Sequence, residues 1–158
     1  MKVFISHQQA DSRLALQLST RLKNAHQMDS YLDVIDPSLA KTGDALADHV
    51  KEELGKCSQL LAVVSEATRA SWWVPWEIGI ATEKNYPLAT FSAGLTPPPE
   101  YLRKWPYLRS EADLDLYASA SKIAFREFST KRTYLSEEVA QLRSTKEFHR
   151  SLRASLGQ

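Results

Sequence analysis

The run Leu60-Leu61-Ala62-Val63-Val64 has no polar side chain at any position. A strand with one wet face alternates apolar and polar residues. A strand apolar throughout is covered on both faces, as a central strand of a parallel sheet is. The stretch that follows, SEATRASWWVPWEIGIATE (residues 65–83), reads as a short polar turn and then a helix with three tryptophans in its first turns. Pro75 fits a helix only near its start, where a missing N–H removes no intrahelical bond. The helix therefore begins near Ser71, whose hydroxyl suits an N-cap. Trp73 and Glu77 stand four apart and so share one face of it. The outcome is a carboxylate near a helix N-terminus, beside indole rings, just past the carboxyl end of a buried strand.

The rest of the chain repeats this strand-then-helix pattern. Val3-Phe4-Ile5 is a first strand, ending in the polar group Ser6-His7-Gln8-Gln9. Asp11 or Ser12 can cap the helix that carries Leu14, Leu18 and Leu22 at helical spacing. Tyr31-Leu32-Asp33-Val34-Ile35 is a second, less apolar strand, broken by Asp36-Pro37-Ser38, and Gly43-Asp44 opens a helix with Leu46, Val50 and Leu54 on one stripe. Tyr86-Pro87-Leu88-Ala89-Thr90-Phe91 is a fourth strand, with Pro87 tolerable only at its start. Pro97-Pro98-Pro99 is a stiff surface loop, and Trp105-Pro106-Tyr107-Leu108 a short fifth strand. Residues 112–128 read as a helix with Leu116, Ala120, Ile123 and Phe128 apolar. Residues 136–152 read as a last helix, with Glu137 and Glu138 in its first turn and Arg143, Lys146 and Arg150 towards its end, as the macrodipole favours. Leu135, Val139 and Leu142 give that helix one sticky face.

Alternating strands and helices predict an α/β protein, a flavodoxin-like three-layer sandwich around a central parallel sheet of order 2-1-3-4-5, with an extra C-terminal helix. Ligands of such sheets bind outside the carboxyl ends of the strands where the order reverses, here between strands 1 and 3. Those ends carry Ser6, His7 and Gln8 on one side, and Ser65 and the tryptophan helix on the other. The rule points at Glu77.

Composition excludes several classes. The 158 residues suit one domain with a sizeable core, and 43% hydrophobic with 25% charged residues is ordinary for a soluble globular chain. A net charge of +1 gives no argument for nucleic acid or a membrane surface. No apolar run approaches the roughly 20 residues that span a bilayer, and the N-terminal run is too short for a signal-peptide core. The single cysteine, Cys57, rules out an internal disulfide and is compatible with a reducing cytoplasm. His26, His49 and His149 have no metal-like spacing, so no metal site is expected. No P-loop or dinucleotide-binding glycine motif is present.

Three pieces in order carry a family resemblance: Val3-Phe4-Ile5-Ser6-His7 with Asp11; the loop from Asp36 with Gly43-Asp44 opening a helix; and Leu61-Ala62-Val63-Val64-Ser65 followed by Ser71, Trp73 and Glu77, an S-x-W-x-x-x-E series. On these the chain resembles a TIR (Toll/interleukin-1 receptor) domain, over residues 1–130, with residues 131–158 a helical extension packed on the same domain. The resemblance implies, from the family's NAD-cleaving branch, that Glu77 is needed to split NAD+ at the nicotinamide–ribose bond. NAD+ is then a substrate, and no cofactor is implied. It further implies that Trp73 walls the pocket, that Ser6, His7 and Ser65 bind ribose or phosphate, and that Asp36 lies on the loop shaping access to the site. Hydrolysis and cyclisation of ADP-ribose both occur in that branch, and active forms often complete the pocket across two chains. A small chain of this kind is similar to the signal-producing TIR proteins of Thoeris-type anti-phage defence. That implies homo-oligomers through TIR–TIR contacts and a separate effector that senses the product.

The sequence departs from the family in lacking the arginine or aromatic often found between Asp36 and Thr42, and in carrying Trp72 and Trp76 in addition to Trp73. Trp72 and Trp76 read as packing residues. Two rival readings stand beside the enzyme: a non-catalytic TIR interaction module with Glu77 structural, and a nucleoside deoxyribosyltransferase-like enzyme, which shares a similar sheet and a carboxylate working at a sugar carbon.

Overall fold

A computed structural model describes residues 1–32, 43–92 and 98–158. Among these, five parallel strands form one sheet in the order β2-β1-β3-β4-β5: β1 (Lys2–Ser6), β2 (Asp29–Leu32), β3 (Gln59–Val64), β4 (Leu88–Ser92) and β5 (Tyr107–Leu108). The helices are α1 (Ser12–His26), α2 (Gly43–Gly55), α3 (Trp73–Glu83), α4 (Glu111–Lys131) and α5 (Glu137–Leu156). This is the flavodoxin-like order that the alternating pattern predicts. Among the described residues no helix is long and apolar enough to cross a membrane.

Side chains of a strand alternate between faces, and the two cores follow that period. Val3, Ile5, Leu61, Val63, Ala89 and Phe91 pack with α1, α4 and α5. Phe4, Leu60, Ala62, Val64 and Leu88 pack with α2, α3 and a 3₁₀ turn (Glu100–Lys104) that contributes Leu102. All six residues of β3 are buried, as a strand covered on both sides requires.

Several expected details shift. The second strand is Asp29–Leu32 rather than 31–35; its expected continuation, like Asp36 and the rest of the loop to Thr42, lies outside the described residues. Pro98 is buried rather than on the surface, and Arg103 of the following turn donates to its carbonyl (3.2 Å). Trp105 precedes β5 and fills the α3-side core.

The larger difference is in α4. Leu116 and Ile123 are exposed, and α4 instead buries Leu114, Tyr117, Ala118, Ser121 and Ala124. On α5 the sticky positions Val139 and Leu142 are exposed, at 38% and 37%, as a face free for contact is, while Ala140, Ser144, Thr145, Phe148 and Leu152 face inward. Small residues on both helices let them approach closely, and the Tyr117 and Phe148 rings meet edge to face at 5.9 Å.

Helix α5 also supplies hydrogen bonds that the sheet edge lacks. His149 Nε2 lies 3.1 Å from the Leu88 carbonyl oxygen, one residue pair ahead of where β5 begins to pair with β4. The Gln158 side chain accepts from Tyr107 N–H (3.1 Å) and donates to Tyr107 O (2.6 Å) on the edge strand. Thr145 and Gln141 donate to the carbonyl of Asn85 (2.6 and 3.0 Å), a residue in the left-handed region (φ 53) that asparagine tolerates. An open edge is a liability, and this helix covers it.

Candidate active site

Ser6 ends β1 and follows Phe4 by two residues, so its side chain points to the α3 face of the sheet. On α3 the buried residues are Val74, Glu77, Ile78 and Ala81, a helical stripe that turns inward against β3 and β4. Glu77 therefore enters the core at the carboxyl end of β1, and the Ser6 hydroxyl donates to its Oε2. Ser6 is fully buried and Glu77 is 1% exposed. A carboxylate so placed is stabilised by that donor and by the nearby positive end of the α3 macrodipole.

Helix α3 starts at Trp73 with Trp72, not the expected Ser71, at the cap position, although Ser71 still serves the first turn. Pro75 lies in its first turn, where no N–H is called for, and the Ser71 hydroxyl accepts from Val74 N–H at 3.2 Å. Gln8 donates its side-chain amide to the same hydroxyl. Further out, the Ser65 hydroxyl donates to Asp11 Oδ2 (2.7 Å) and accepts from Ala67 N–H (3.1 Å), while Ser65 N–H donates to Thr68 Oγ1 (3.0 Å). Three side-chain links, Ser6 to Glu77, Gln8 to Ser71 and Ser65 to Asp11, thus join the segment after β1 to the segment after β3. They span the point where the strand order reverses.

Of the residues singled out in the sequence, the structure brings Ser6 and Glu77 into contact, with Ser6 holding the carboxylate rather than lining open space. His7 is buried, 5% exposed, with Nδ1 at 3.2 Å from the Ile5 carbonyl. A carbonyl only accepts, so Nδ1 carries the proton in that contact. The Ser65 hydroxyl is engaged with Asp11 and Ala67. Asp11 makes no side-chain cap bond to α1, because its carboxylate is turned to Ser65 instead.

Trp73 is half-buried and meets Trp76 edge to face at 5.4 Å. Trp76 packs on the α3-side core, as a filler should. Trp72 does not: at 89% exposed it stands in solvent, since the cap position it occupies lies off the buried stripe. Asp36 lies outside the described residues.

Sequence reasoning placed Gln8 at this end of the sheet but missed Thr90 as a member of the region. Thr90 is fully buried on β4, in register with Ala62, which is itself in register with Ser6. Its hydroxyl finds no hydrogen-bond partner among the described residues. A polar residue at an inward position of a central strand was the available signal. Among the described residues no group of three or more His, Cys, Asp or Glu is placed to hold a metal ion. Cys57 lies at the other end of the sheet, where burial pushes its thiol up to about 11, so it is a neutral packing residue at physiological pH.

A parallel α/β sheet with a buried carboxylate hydrogen-bonded across its order-reversal point defines the class of site. Residues 3–122 match the family model described as the TIR domain. The match covers most of the chain, and the chain belongs to the TIR domain family. No curated protein sequence matches it.

Proposed function

We propose that this TIR domain cleaves NAD+ at the nicotinamide–ribose bond, with Glu77 as the essential carboxylate. The observation that carries this reading is Glu77 held by Ser6 at the reversal point between β1 and β3, where open α/β sheets bind their ligands. Breaking the glycosidic C–N bond sends its electron pair to the pyridinium nitrogen. Nicotinamide then leaves neutral, without a proton donor. The sugar carbon is left with oxocarbenium character, which a fixed carboxylate stabilises. Water attack on that carbon gives ADP-ribose and one proton; attack from within the ADP-ribose gives a cyclic product. In this reading Ser6 positions Glu77, the half-buried Trp73 offers an indole face to substrate, and His7 and Ser65 fix the loops around it. Asp36 belongs to the loop that admits substrate.

The same reading places the protein with the Thoeris-like branch of the family in the cytoplasm, self-associating through TIR–TIR contacts and signalling to a separate sensor of its product. A second reading is favoured by one observation, the near-complete burial of Glu77: a TIR adaptor in which the carboxylate only ties α3 to β1. Incubating the purified protein with NAD+ and resolving nicotinamide by chromatography separates the two. Nicotinamide release supports the enzyme; its absence, with self-association intact, supports the adaptor.

A further inference from the structure

At the opposite end of the sheet from Glu77, the strand starts and the α4–α5 pair enclose a pocket of about 190 Å³. Gln59 opens β3 two residues before Leu61, so its side chain lies on the α4 face and lines this pocket. Gln59 is 2% exposed, and its Nε2 finds no hydrogen-bond partner among the described residues. Ser144 of α5 lines the same pocket, is 2% exposed, and has a hydroxyl likewise without a partner there, while Ser121 of α4 lines it with its hydroxyl turned to the Tyr117 phenol. Buried polar groups are almost always paired, and an unpaired one is destabilising. Two from different elements, Gln59 and Ser144, converging on one hollow point to an occupant that is polar at the floor.

The walls say more. Phe125, Phe128 and Tyr86 line the pocket beside Pro87 and Ala124, an apolar surface suited to a flat ring. A cavity of about 150 Å³ holds benzene, so the volume here admits a six-membered ring with one polar substituent. Neither Lys nor Arg lines the pocket; its charged groups are the α-amino group of half-exposed Met1 and the carboxylate of exposed Glu137, neither of them buried at the floor with Gln59. An anion at the floor would be buried without compensation. A carbonyl oxygen suits the Gln59 amide donor, and an amide N–H₂ suits the serine hydroxyls.

We propose that this pocket is a binding site for a small neutral aromatic carboxamide. The site rests on its own lining and not on the chemistry of Glu77. Under the reading of Glu77 given above, the leaving group of the reaction falls in this ligand class, which makes the pocket a place for product to bind away from Glu77.

The test is a titration of the full chain with nicotinamide, benzamide and nicotinate, followed by NMR of side-chain amides and indoles, with calorimetry for affinity. The expected result is saturable binding of both amides that shifts the Gln59 side-chain signals, persists in Glu77→Gln, and is weaker for nicotinate by about tenfold or more. Gln59→Leu weakens nicotinamide by about tenfold. Ser144→Ala, a smaller change that retains the fold, weakens it in the same direction. Three results each overturn the proposal: no saturation up to about 10 mM, which leaves a pocket holding water only; shifts at the Trp73 indole with Gln59 unmoved, which puts the ligand near Trp73; or equal affinity for nicotinate.

Discussion

Replacing Ser6 by alanine tests how Glu77 is held. The hydroxyl is fully buried and donates to a carboxylate that is 1% exposed. A hydrogen bond to a charged group contributes about 1.5–3 kcal/mol, and removing one partner leaves the other poorly solvated. The loss of one oxygen adds little cavity cost, so the whole effect is about 2 kcal/mol. For a chain of this size that is a fall in Tm of roughly 4–8 °C. Ser129→Ala is the control, because that hydroxyl lies on an exposed face of α4 and bonds only the Phe125 carbonyl; it changes stability by less than about 0.5 kcal/mol. Urea denaturation of the three proteins at pH 7.5 reads the difference. If Ser6→Ala and Ser129→Ala unfold at the same urea concentration, the Ser6–Glu77 bond does not hold α3 to β1. In the NAD+ assay Ser6→Ala slows nicotinamide release by about tenfold or more, since a carboxylate free to move loses its alignment.

Burial holds the His149 imidazole down to about 4, against 6.5 in the unfolded chain. The unfolded state therefore binds more protons between those values, and stability is fully present above pH 6.5 and lost as pH falls towards 4. The shift corresponds to about 3 kcal/mol, of which about 2 is lost by pH 5. His149→Gln flattens this slope in urea midpoints at pH 7.5 and 5.0; an unchanged slope assigns the pH dependence to other groups. Leu142→Glu places a charge on the exposed apolar side of α5. If that side joins two copies, sedimentation shows the variant dissociating at concentrations where the parent associates. A monomeric parent, or an equally associated variant, removes α5 as the contact.

Much of the fold was legible because it follows from local periodicity. The wholly apolar run from Leu60 to Val64 demanded two covered faces and has them. Pro75 and Ser71 located the start of α3, and the Val74–Ile78–Ala81 stripe carries Glu77 inward. The partners of the site were not legible. Ser6 meets Glu77 across 71 residues, Gln8 meets Ser71 across 63, and Ser65 meets Asp11 across 54. No local spacing encodes which of several loop hydroxyls will face which acid. The contact between α4 and α5 was not legible for a related reason. Their contact is made by small residues such as Ala118, Ser121, Ala140 and Ser144, whereas the larger Leu116, Ile123 and Leu142 attract attention yet face outward. Trp72 shows the same bias, because a large aromatic side chain suggests packing even at a position that the helix turns to solvent.

The most direct measurement compares nicotinamide release from NAD+ by the wild-type chain and by Glu77→Gln, a change that preserves shape and removes only the charge. Both proteins are assayed at equal concentration and equal fraction folded. The account predicts release by the wild type and a fall of about a hundredfold or more in the variant, the scale on which removing a fixed electrostatic partner acts. A folded Glu77→Gln protein that releases nicotinamide at the wild-type rate contradicts the account, because the buried carboxylate would then be a strut between α3 and β1 and no part of the chemistry.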